Sequence, residues 1–292
     1  MDGSELREFR PPRVCYQTQS LDTTPDAEAH LFALWRSWDS LQKIAHLNHT
    51  TYSSRLSIWH FVQSQSNSLE QQHPVAHFLK KVGLFPLPSS VPTPPQQLTM
   101  LGVIEEALVV IPVLESLGID YFIGGSVASG IWGELRYTQD LDLIADIQPH
   151  HLQDLVTAFS PRFYVSEIAI QEAIDRRQSF NLIDNNTGWK IDIFVLALDL
   201  FHQNQFQRRQ ILTVDEQNHT LWFSSAEDMI LQKIIWYHLS QNQSEQQWRD
   251  ILGILKLQNN RLDRIYLDHW AEVLNVSPAL KKALTESGYQ VP

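Results

Sequence analysis

The stretch Ile123–Ala145, IGGSVASGIWGELRYTQDLDLIA, contains the residues that decide the fold of this chain. It is predicted to run from the end of an apolar strand through a Gly-Gly-Ser turn at residues 124–126, then into a helix at Val127–Trp132 and a strand at Leu141–Ile147. Glycines between a strand and a helix let a ligand approach the backbone, and free amide groups at a helix start favour a phosphate. Most such turns bind nothing, so the turn predicts a phosphate site only in combination with acidic residues further along the chain.

Two aspartates stand at the start of the second strand. Asp140 and Asp142 are two residues apart, so alternation along the strand directs both carboxylates to one face and the intervening leucines to the other. Two anions within roughly 7 Å repel each other unless a cation lies between them. Mg²⁺ is held by one or two such carboxylates together with substrate phosphates. The alternative is a solvated strand edge, and Gly125, fifteen residues before Asp140, favours the metal site.

A third carboxylate follows in the predicted strand Trp189–Ala197, WKIDIFVLA, where Asp192 is the only acid in an apolar run. Ionised carboxylates are rarely buried without a partner. One partner is a salt bridge to Lys190 on the same face. The other is a shared metal site, because three acids from neighbouring strands can hold two Mg²⁺ ions about 4 Å apart.

A lysine and an aspartate near the end of the chain offer further charges. Lys233 shares a predicted helix face with apolar neighbours, so it either extends its ammonium group to solvent or meets an anion. Asp250 lies beside Arg249 in the next predicted helix. It forms either a surface pair with Arg249 or a bridge between helices.

These motifs resemble those of the nucleotidyltransferases of the DNA polymerase β superfamily, most closely the bacterial abortive-infection and toxin–antitoxin enzymes of the AbiEii-like group. That group combines a Gly-Ser turn, an Arg-x-Thr-x-Asp-x-Asp sequence, a later lysine-bearing helix and an Arg-Asp pair. The matching residues here are Gly125-Ser126, Arg136–Asp142, Lys233 and Arg249-Asp250. The resemblance covers about residues 97–275.

The resemblance implies transfer of a nucleoside monophosphate from a nucleoside triphosphate to a hydroxyl acceptor, with Mg²⁺ or Mn²⁺ as cofactor. The implied metal ligands are Asp140, Asp142 and Asp192, and the last would also help to deprotonate the acceptor. Lys233 and Asp250 complete the implied catalytic set. The implied phosphate-binding residues are Gly124, Gly125, Ser126, Arg136 and Thr138.

The resemblance also implies an acceptor, either the 3′ end of tRNA or a protein side chain, and a toxin–antitoxin or phage-defence setting with a cognate toxin or antitoxin as partner. The alternatives are a catalytically silent nucleotide-binding module and an antitoxin that modifies a partner toxin. Further candidates for binding phosphates or RNA, or else for a solvated surface, are Arg136, Arg176, Arg177, Arg208 and Arg209.

Outside this region the sequence predicts an α+β protein: a mixed-sheet core with C-terminal helices, preceded by a small all-α module. Five of the 14 prolines fall within residues 85–95, which predicts a linker. The expected domains are a helical module at 1–84, the linker at 85–96, the nucleotidyltransferase core at 97–224 and a helical region at 225–292. Helices in the first module are predicted at Asp26–Trp38, Ser40–Val62 and Ser68–Val82.

The composition excludes several classes of protein. The 292 residues are 43% apolar and 19% charged, which is typical of a globular chain and excludes disorder and coiled coils. One cysteine, Cys15, cannot form an internal disulfide or a thiolate metal cage. No signal or membrane-spanning segment is evident, so a cytoplasmic location is expected. The whole net charge of −11 falls after residue 95 and should repel polyanions outside a local basic patch.

Overall fold

A computed structural model of the chain describes residues 16–19, 24–64, 102–138 and 140–289. The described residues form two compact units. Unit 1 consists of those within Met1–Ile44, Ala128–Leu135 and Gln207–Pro292, and unit 2 consists of those within Ala45–Val127 and Arg136–Phe206. The predicted helix Ser68–Val82 and the predicted linker lie outside the described residues, and the domain boundaries stay a prediction. Within the described ranges, no helix has the length and apolar character needed to cross a membrane.

Helices and strands alternate through most of the described chain. The α-helices are α1 Pro25–Ser37, α2 Ser40–Ser64, α3 Val103–Ser116, α4 Gly125–Trp132, α5 Leu152–Phe159, α6 Glu167–Arg176, α7 Leu200–Gln207, α8 Ala226–Leu239, α9 Glu245–Gln258, α10 Arg264–Val273 and α11 Ser277–Glu286. The strands are β1 Tyr121–Ile123, β2 Asp140–Ala145, β3 Phe163–Tyr164, β4 Ser179–Asp184, β5 Lys190–Val195, β6 Gln210–Thr213 and β7 Thr220–Phe223. The α+β class with a mixed sheet is confirmed.

Five of these strands form the sheet of unit 2, in the order β3-β4-β5-β2-β1. The central pair, β2 and β5, is parallel, and the other pairs are antiparallel. The parallel register sets Asp142 opposite Asp192 and Asp140 opposite Lys190. On the other side of β5, Asn181 pairs with Asp192. Side chains at one level of a sheet share a face, so the register brings these polar groups together.

The alternate residues of the same strands build the core of unit 2. Leu141, Leu143, Ile191 and Ile193 are completely buried, and helices α3 and α6 pack against the sheet. Burying such side chains contributes about 1.5–3 kcal/mol each relative to leaving them exposed. The apolar alternation therefore fixes which face carries the acids, because a shift by one residue would bury them.

Helix α2 contributes a buried arginine to unit 2. The Arg55 side chain is completely buried, its Nη2 donates to the carbonyl oxygen of Thr187 over 2.8 Å, and its guanidinium lies 4.3 Å from the ring centroid of Trp189. Both partners lie just before β5. The contact ties α2 to the turn that leads into the strand bearing Asp192.

Unit 1 is mainly helical, with the hairpin β6–β7. Helices α8 and α9 pack together, and α1 packs against α9. Phe32 and Trp35 of α1 form a cluster with Leu257 of α9. A buried ion pair, Lys256 Nζ to Glu28 Oε2 at 3.0 Å, joins the same two helices.

Most predicted elements match the observed ones to within a few residues. The helices predicted at Asp26–Trp38 and Ser40–Val62 are observed as α1 Pro25–Ser37 and α2 Ser40–Ser64. The helix predicted from Val127 begins earlier, at Gly125, so the glycine turn is partly the first turn of α4. The sequence patterns did not predict β3, α6 or α7. Helix α7 exposes Leu200 and has little apolar periodicity, whereas α6 buries Ile170, Ala173 and Ile174 at helical spacing, a signal that the sequence analysis did not use.

A buried carboxyl group stabilises the turn between β4 and β5. Glu106 of α3 is completely buried and accepts a hydrogen bond from Thr187 Oγ1 over 3.0 Å. Burial, followed by the neighbouring charge of Asp184, raises the pKa of Glu106 to about 8. Asp184 accepts hydrogen bonds from the backbone amides of Asn186 and Thr187 and pairs with Arg162 at 2.5 Å.

This pKa predicts how stability depends on pH. Above its unfolded pKa near 4.5, Glu106 ionises in the unfolded chain but keeps its proton in the folded protein up to about pH 8. The free energy of unfolding should therefore fall as pH rises across this window, by up to about 1.4 kcal/mol per pH unit, and the contribution of Glu106 should level off above it. Glu106→Gln should remove this component.

Urea unfolding from pH 5 to 9 measures this dependence in the wild type and the variant. The exposed neighbour Glu105 supplies the matched control, since Glu105→Gln should keep the wild-type slope. Equal slopes in the wild type and Glu106→Gln would contradict the assignment.

Candidate active site

Three carboxylates converge on one face of the sheet. Asp140, Asp142 and Asp192 each place one carboxylate oxygen within 4.8 Å of the others. Asp192 is only 8% exposed, and the other two are half-buried. The parallel register of β2 and β5 produces this cluster. Hard oxygen ligands at this spacing suit Mg²⁺ or Mn²⁺.

Asp192 also contacts two groups on the same face. Lys190 Nζ forms an ion pair with its Oδ2, and Asn181 Nδ2 donates to its Oδ1. The salt bridge considered from the sequence is therefore present, and it exists alongside the carboxylate cluster. Asn181 was not among the predicted site residues, although a β4–β5 hairpin register would have placed it beside Asp192.

The glycines of the turn lie directly against the cluster. A Cβ atom on Gly125 would stand 1.7 Å from Asp142 Oδ2, and its φ is +54°. The Gly124 amide donates to the Asp142 carbonyl oxygen over 3.0 Å. The start of α4 and the second acid thus touch, and only a residue without a side chain fits at position 125.

The other predicted phosphate-binding residues surround the same acids. Arg136 Nη2 donates to Ser126 Oγ over 3.0 Å, so the guanidinium reaches the first turn of α4. Thr138 Oγ1 donates to the backbone oxygen of Asp140 over 3.1 Å and lies 3.4 Å from Asp140 Oδ1. The structure therefore brings Ser126, Arg136 and Thr138 to the glycine turn and the carboxylates.

Other predicted arginines have structural contacts. Arg177 donates to the carbonyl oxygen of Leu196 over 3.2 Å, Arg208 pairs with Glu227 at 3.4 Å, and Arg209 stacks on Trp222. Arg176 is exposed at the end of α6.

Lys233 and Asp250 form a buried ion pair within unit 1. Their Nζ and Oδ2 atoms are 2.6 Å apart, and the side chains are 1% and 3% exposed. Ser129 of α4 also reaches Asp250 Oδ2, at 3.5 Å. Of the alternatives drawn from the sequence, Lys233 meets an anion of its own chain, and Asp250 bridges helices α8 and α9. Arg249 instead pairs with Glu134.

The contact between Gly125 and Asp142 predicts a large effect of one methyl group. Gly125→Ala should displace the Asp142 carboxylate and lower the free energy of unfolding by about 2–4 kcal/mol, through positive-φ strain plus overpacking. Gly118 is the matched control: its φ is also positive, at +68°, but a Cβ there meets nothing within 4 Å.

Gly118→Ala should therefore show only the backbone strain, about 1 kcal/mol. Guanidinium unfolding of both variants measures the difference. Equal losses in the two variants would show that position 125 has room for a side chain.

The ion pair of unit 1 predicts non-additive substitutions. Lys233→Met leaves the Asp250 charge buried without its partner, and Asp250→Leu does the same to Lys233. Each change should cost about 3–5 kcal/mol, whereas the double variant should recover a large part of that loss because an apolar pair needs no counter-ion. Chemical unfolding of all four proteins tests this, and additive losses would contradict it.

Comparisons with known proteins give structural likeness only. No family model and no curated protein sequence matches the chain. An antigenic nucleotidyltransferase-like protein from Paracoccidioides brasiliensis is 20% identical, with a TM-score of 0.36 over 62% of this chain and 92% of its own. The lincomycin-bound lincosamide antibiotic adenylyltransferase LnuA is 14% identical, with a TM-score of 0.37 over 55% of this chain and 99% of its own. At these scores the likeness fixes neither family nor substrate.

Proposed function

We propose that this protein transfers a nucleoside monophosphate from a nucleoside triphosphate to a hydroxyl acceptor and releases pyrophosphate. The observation that carries the proposal is the convergence of Asp140, Asp142 and Asp192 within 4.8 Å, directly beside a turn that excludes a side chain at Gly125. The bond between the acceptor oxygen and the α-phosphorus forms, and the bond to pyrophosphate breaks. Such chemistry requires chiefly positioning and charge neutralisation, with no covalent enzyme intermediate.

The residues of the cluster fit a divalent metal ion. Three carboxylates crowded within 4.8 Å repel one another, and their oxygens are the ligands that Mg²⁺ and Mn²⁺ prefer. Asp140, Asp142 and Asp192 would hold the metal. When bound, it supplies activation of the acceptor hydroxyl and neutralisation of phosphate charge.

The remaining residues have roles that follow from their places. The Gly124 amide already donates to Asp142, so in the proposal it is the first turn of α4, from Gly125, that offers backbone amides to the triphosphate. Arg136, already at Ser126, offers a guanidinium fork. Asp192 accepts the proton of the acceptor hydroxyl. In the proposal Lys233, whose ammonium group pairs with Asp250, neutralises phosphate charge. Within the proposal, Asp250 positions Lys233.

The resemblance to abortive-infection and toxin–antitoxin enzymes supports the finer part of the proposal. The acceptor is then the 3′ end of a tRNA or the side chain of a partner toxin, in a phage-defence setting. The net charge of −11 disfavours broad RNA affinity and favours a protein or a locally held RNA end. The competing function is a silent nucleotide-binding module, which the pairing of Lys190 with Asp192 favours.

Nucleotide binding and transfer separate these two functions. Each of the four nucleoside triphosphates with Mg²⁺ is added in a thermal unfolding series, and the one that binds should stabilise the wild type by about 2.7 kcal/mol at 100 times its dissociation constant. Asp142→Asn should lose most of this stabilisation. Labelled triphosphate incubated with tRNA and cell extract should pass label to RNA or protein, at least about 100-fold faster with the wild type than with Asp142→Asn.

Asp154→Asn is the matched control, because this exposed residue of α5 lies in the same unit and its change alters the net charge equally. It should behave as the wild type in both assays. Binding without transfer would support the silent module. Absence of metal-dependent triphosphate binding would contradict both functions.

A further inference from the structure

A cation of the chain itself pairs with one member of the carboxylate cluster. Lys190 is the first residue of β5, and the parallel register sets it level with Asp140 on β2. Its ammonium group forms an ion pair with Asp192 Oδ2, and its side chain is about one third exposed, 32%. It is therefore partly open to solvent while it pairs with the most buried of the three acids.

Both oxygens of Asp192 are engaged by protein donors. Lys190 takes Oδ2, and Asn181 of β4 donates to Oδ1. The two donors come from different strands, since Asn181 pairs with Asp192 across β4–β5 while Lys190 lies two residues back on β5. The carboxylate is thus held at its level in the cluster before any metal ion binds.

The charges of the cluster give this arrangement a consequence. Three carboxylates within 4.8 Å amount to three negative charges, and Lys190 offsets one of them. A divalent cation that approaches Asp192 meets a positive charge at hydrogen-bond distance from the same carboxylate. Because Coulomb energy falls with distance, an ammonium group this close opposes metal binding more than any surface lysine can.

We propose that Lys190 is a resident counter-ion that positions Asp192 in the metal-free protein and competes with divalent metal for it. The inference rests on the proposed function, because it concerns the metal site of that reaction. Lys190 is a positioning residue that acts through Asp192. The affinity of the cluster for metal in the absence of nucleotide is then set by this lysine, and a cation is taken up at Asp192 as Lys190 moves away.

The test measures Mn²⁺ binding to the full chain without nucleotide, by electron paramagnetic resonance of free Mn²⁺. Lys190→Gln should bind Mn²⁺ roughly tenfold more tightly than the wild type, because a positive charge beside the ligands is gone. Lys190→Arg keeps the positive charge, so it should not bind Mn²⁺ more tightly than the wild type. Thermal unfolding verifies that each variant is folded, and Lys190→Met repeats the measurement with a second neutral side chain.

Two controls separate charge from other effects. Asn181→Ala removes the other hydrogen bond to Asp192 without changing any charge, and it should stay within about twofold of the wild type. Lys281→Gln changes the net charge equally at an exposed position of α11 in unit 1, and it should have no effect. Tightening in Lys281→Gln equal to that in Lys190→Gln would overturn the inference, since net charge would then explain both.

The outcomes also distinguish the inference from the proposed function. Unchanged or weaker Mn²⁺ binding in both neutral variants overturns the role of Lys190, even if the wild type transfers nucleotides. Tighter binding in Lys190→Gln that disappears when Asp140→Asn is added supports the inference, whether or not transfer occurs. Failure of the wild type to transfer nucleotides to any acceptor would then count against the proposed reaction alone.

Discussion

Electrostatic repulsion among three carboxylates is the constraint around which unit 2 is built. The parallel pairing of β2 with β5 places Asp142 level with Asp192, and Asp140 lies two residues before Asp142 on β2. Held within 4.8 Å, these groups oppose folding unless cations and hydrogen bonds compensate. The chain supplies part of that compensation through Lys190 and Asn181 at Asp192. The spacing of the carboxylate oxygens is what makes this face suited to a divalent ion.

The rest of unit 2 keeps this pairing in place. Fully buried leucines and isoleucines on the opposite face fix the register, because any slip by one residue would put the acids in the core. The turn before β5 is held by a second, separate set of charges, in which Arg55 reaches Thr187 and Arg162 pairs with Asp184. In unit 1, Lys233 and Asp250 form a comparable buried pair that ties α8 to α9. In both units a carboxylate pairs with a lysine of the same chain, Asp192 with Lys190 in unit 2 and Asp250 with Lys233 in unit 1.

Local patterns in the sequence were enough to predict much of this. The glycine turn and the alternating Asp-x-Asp are short-range signals, and the acids lie on one face as alternation requires. The partners of Lys233 and Asp192 could be named only as alternatives, because they depend on helix packing and on pairing between strands about 50 residues apart in sequence. Helix α7 was not predicted because it has little apolar periodicity, whereas the short apolar stripe of α6 was present in the sequence and was missed. Asn181 was not predicted as a site residue, because the role of a single polar residue in a strand depends on which residue it faces on the next strand.

The most direct measurement of the central claim is an anomalous difference map from crystals of the protein soaked in Mn²⁺. We predict a peak that lies within about 2.0–2.6 Å, the range of metal–oxygen bonds, of a carboxylate oxygen on each strand. The ligand on β5 is Asp192, and the ligand on β2 is Asp140 or Asp142. Under the same conditions, crystals of Asp142→Asn should show a much weaker peak. A wild-type map without density between the two strands, or with Mn²⁺ bound only at surface acids elsewhere, would contradict the claim that these carboxylates form a metal site.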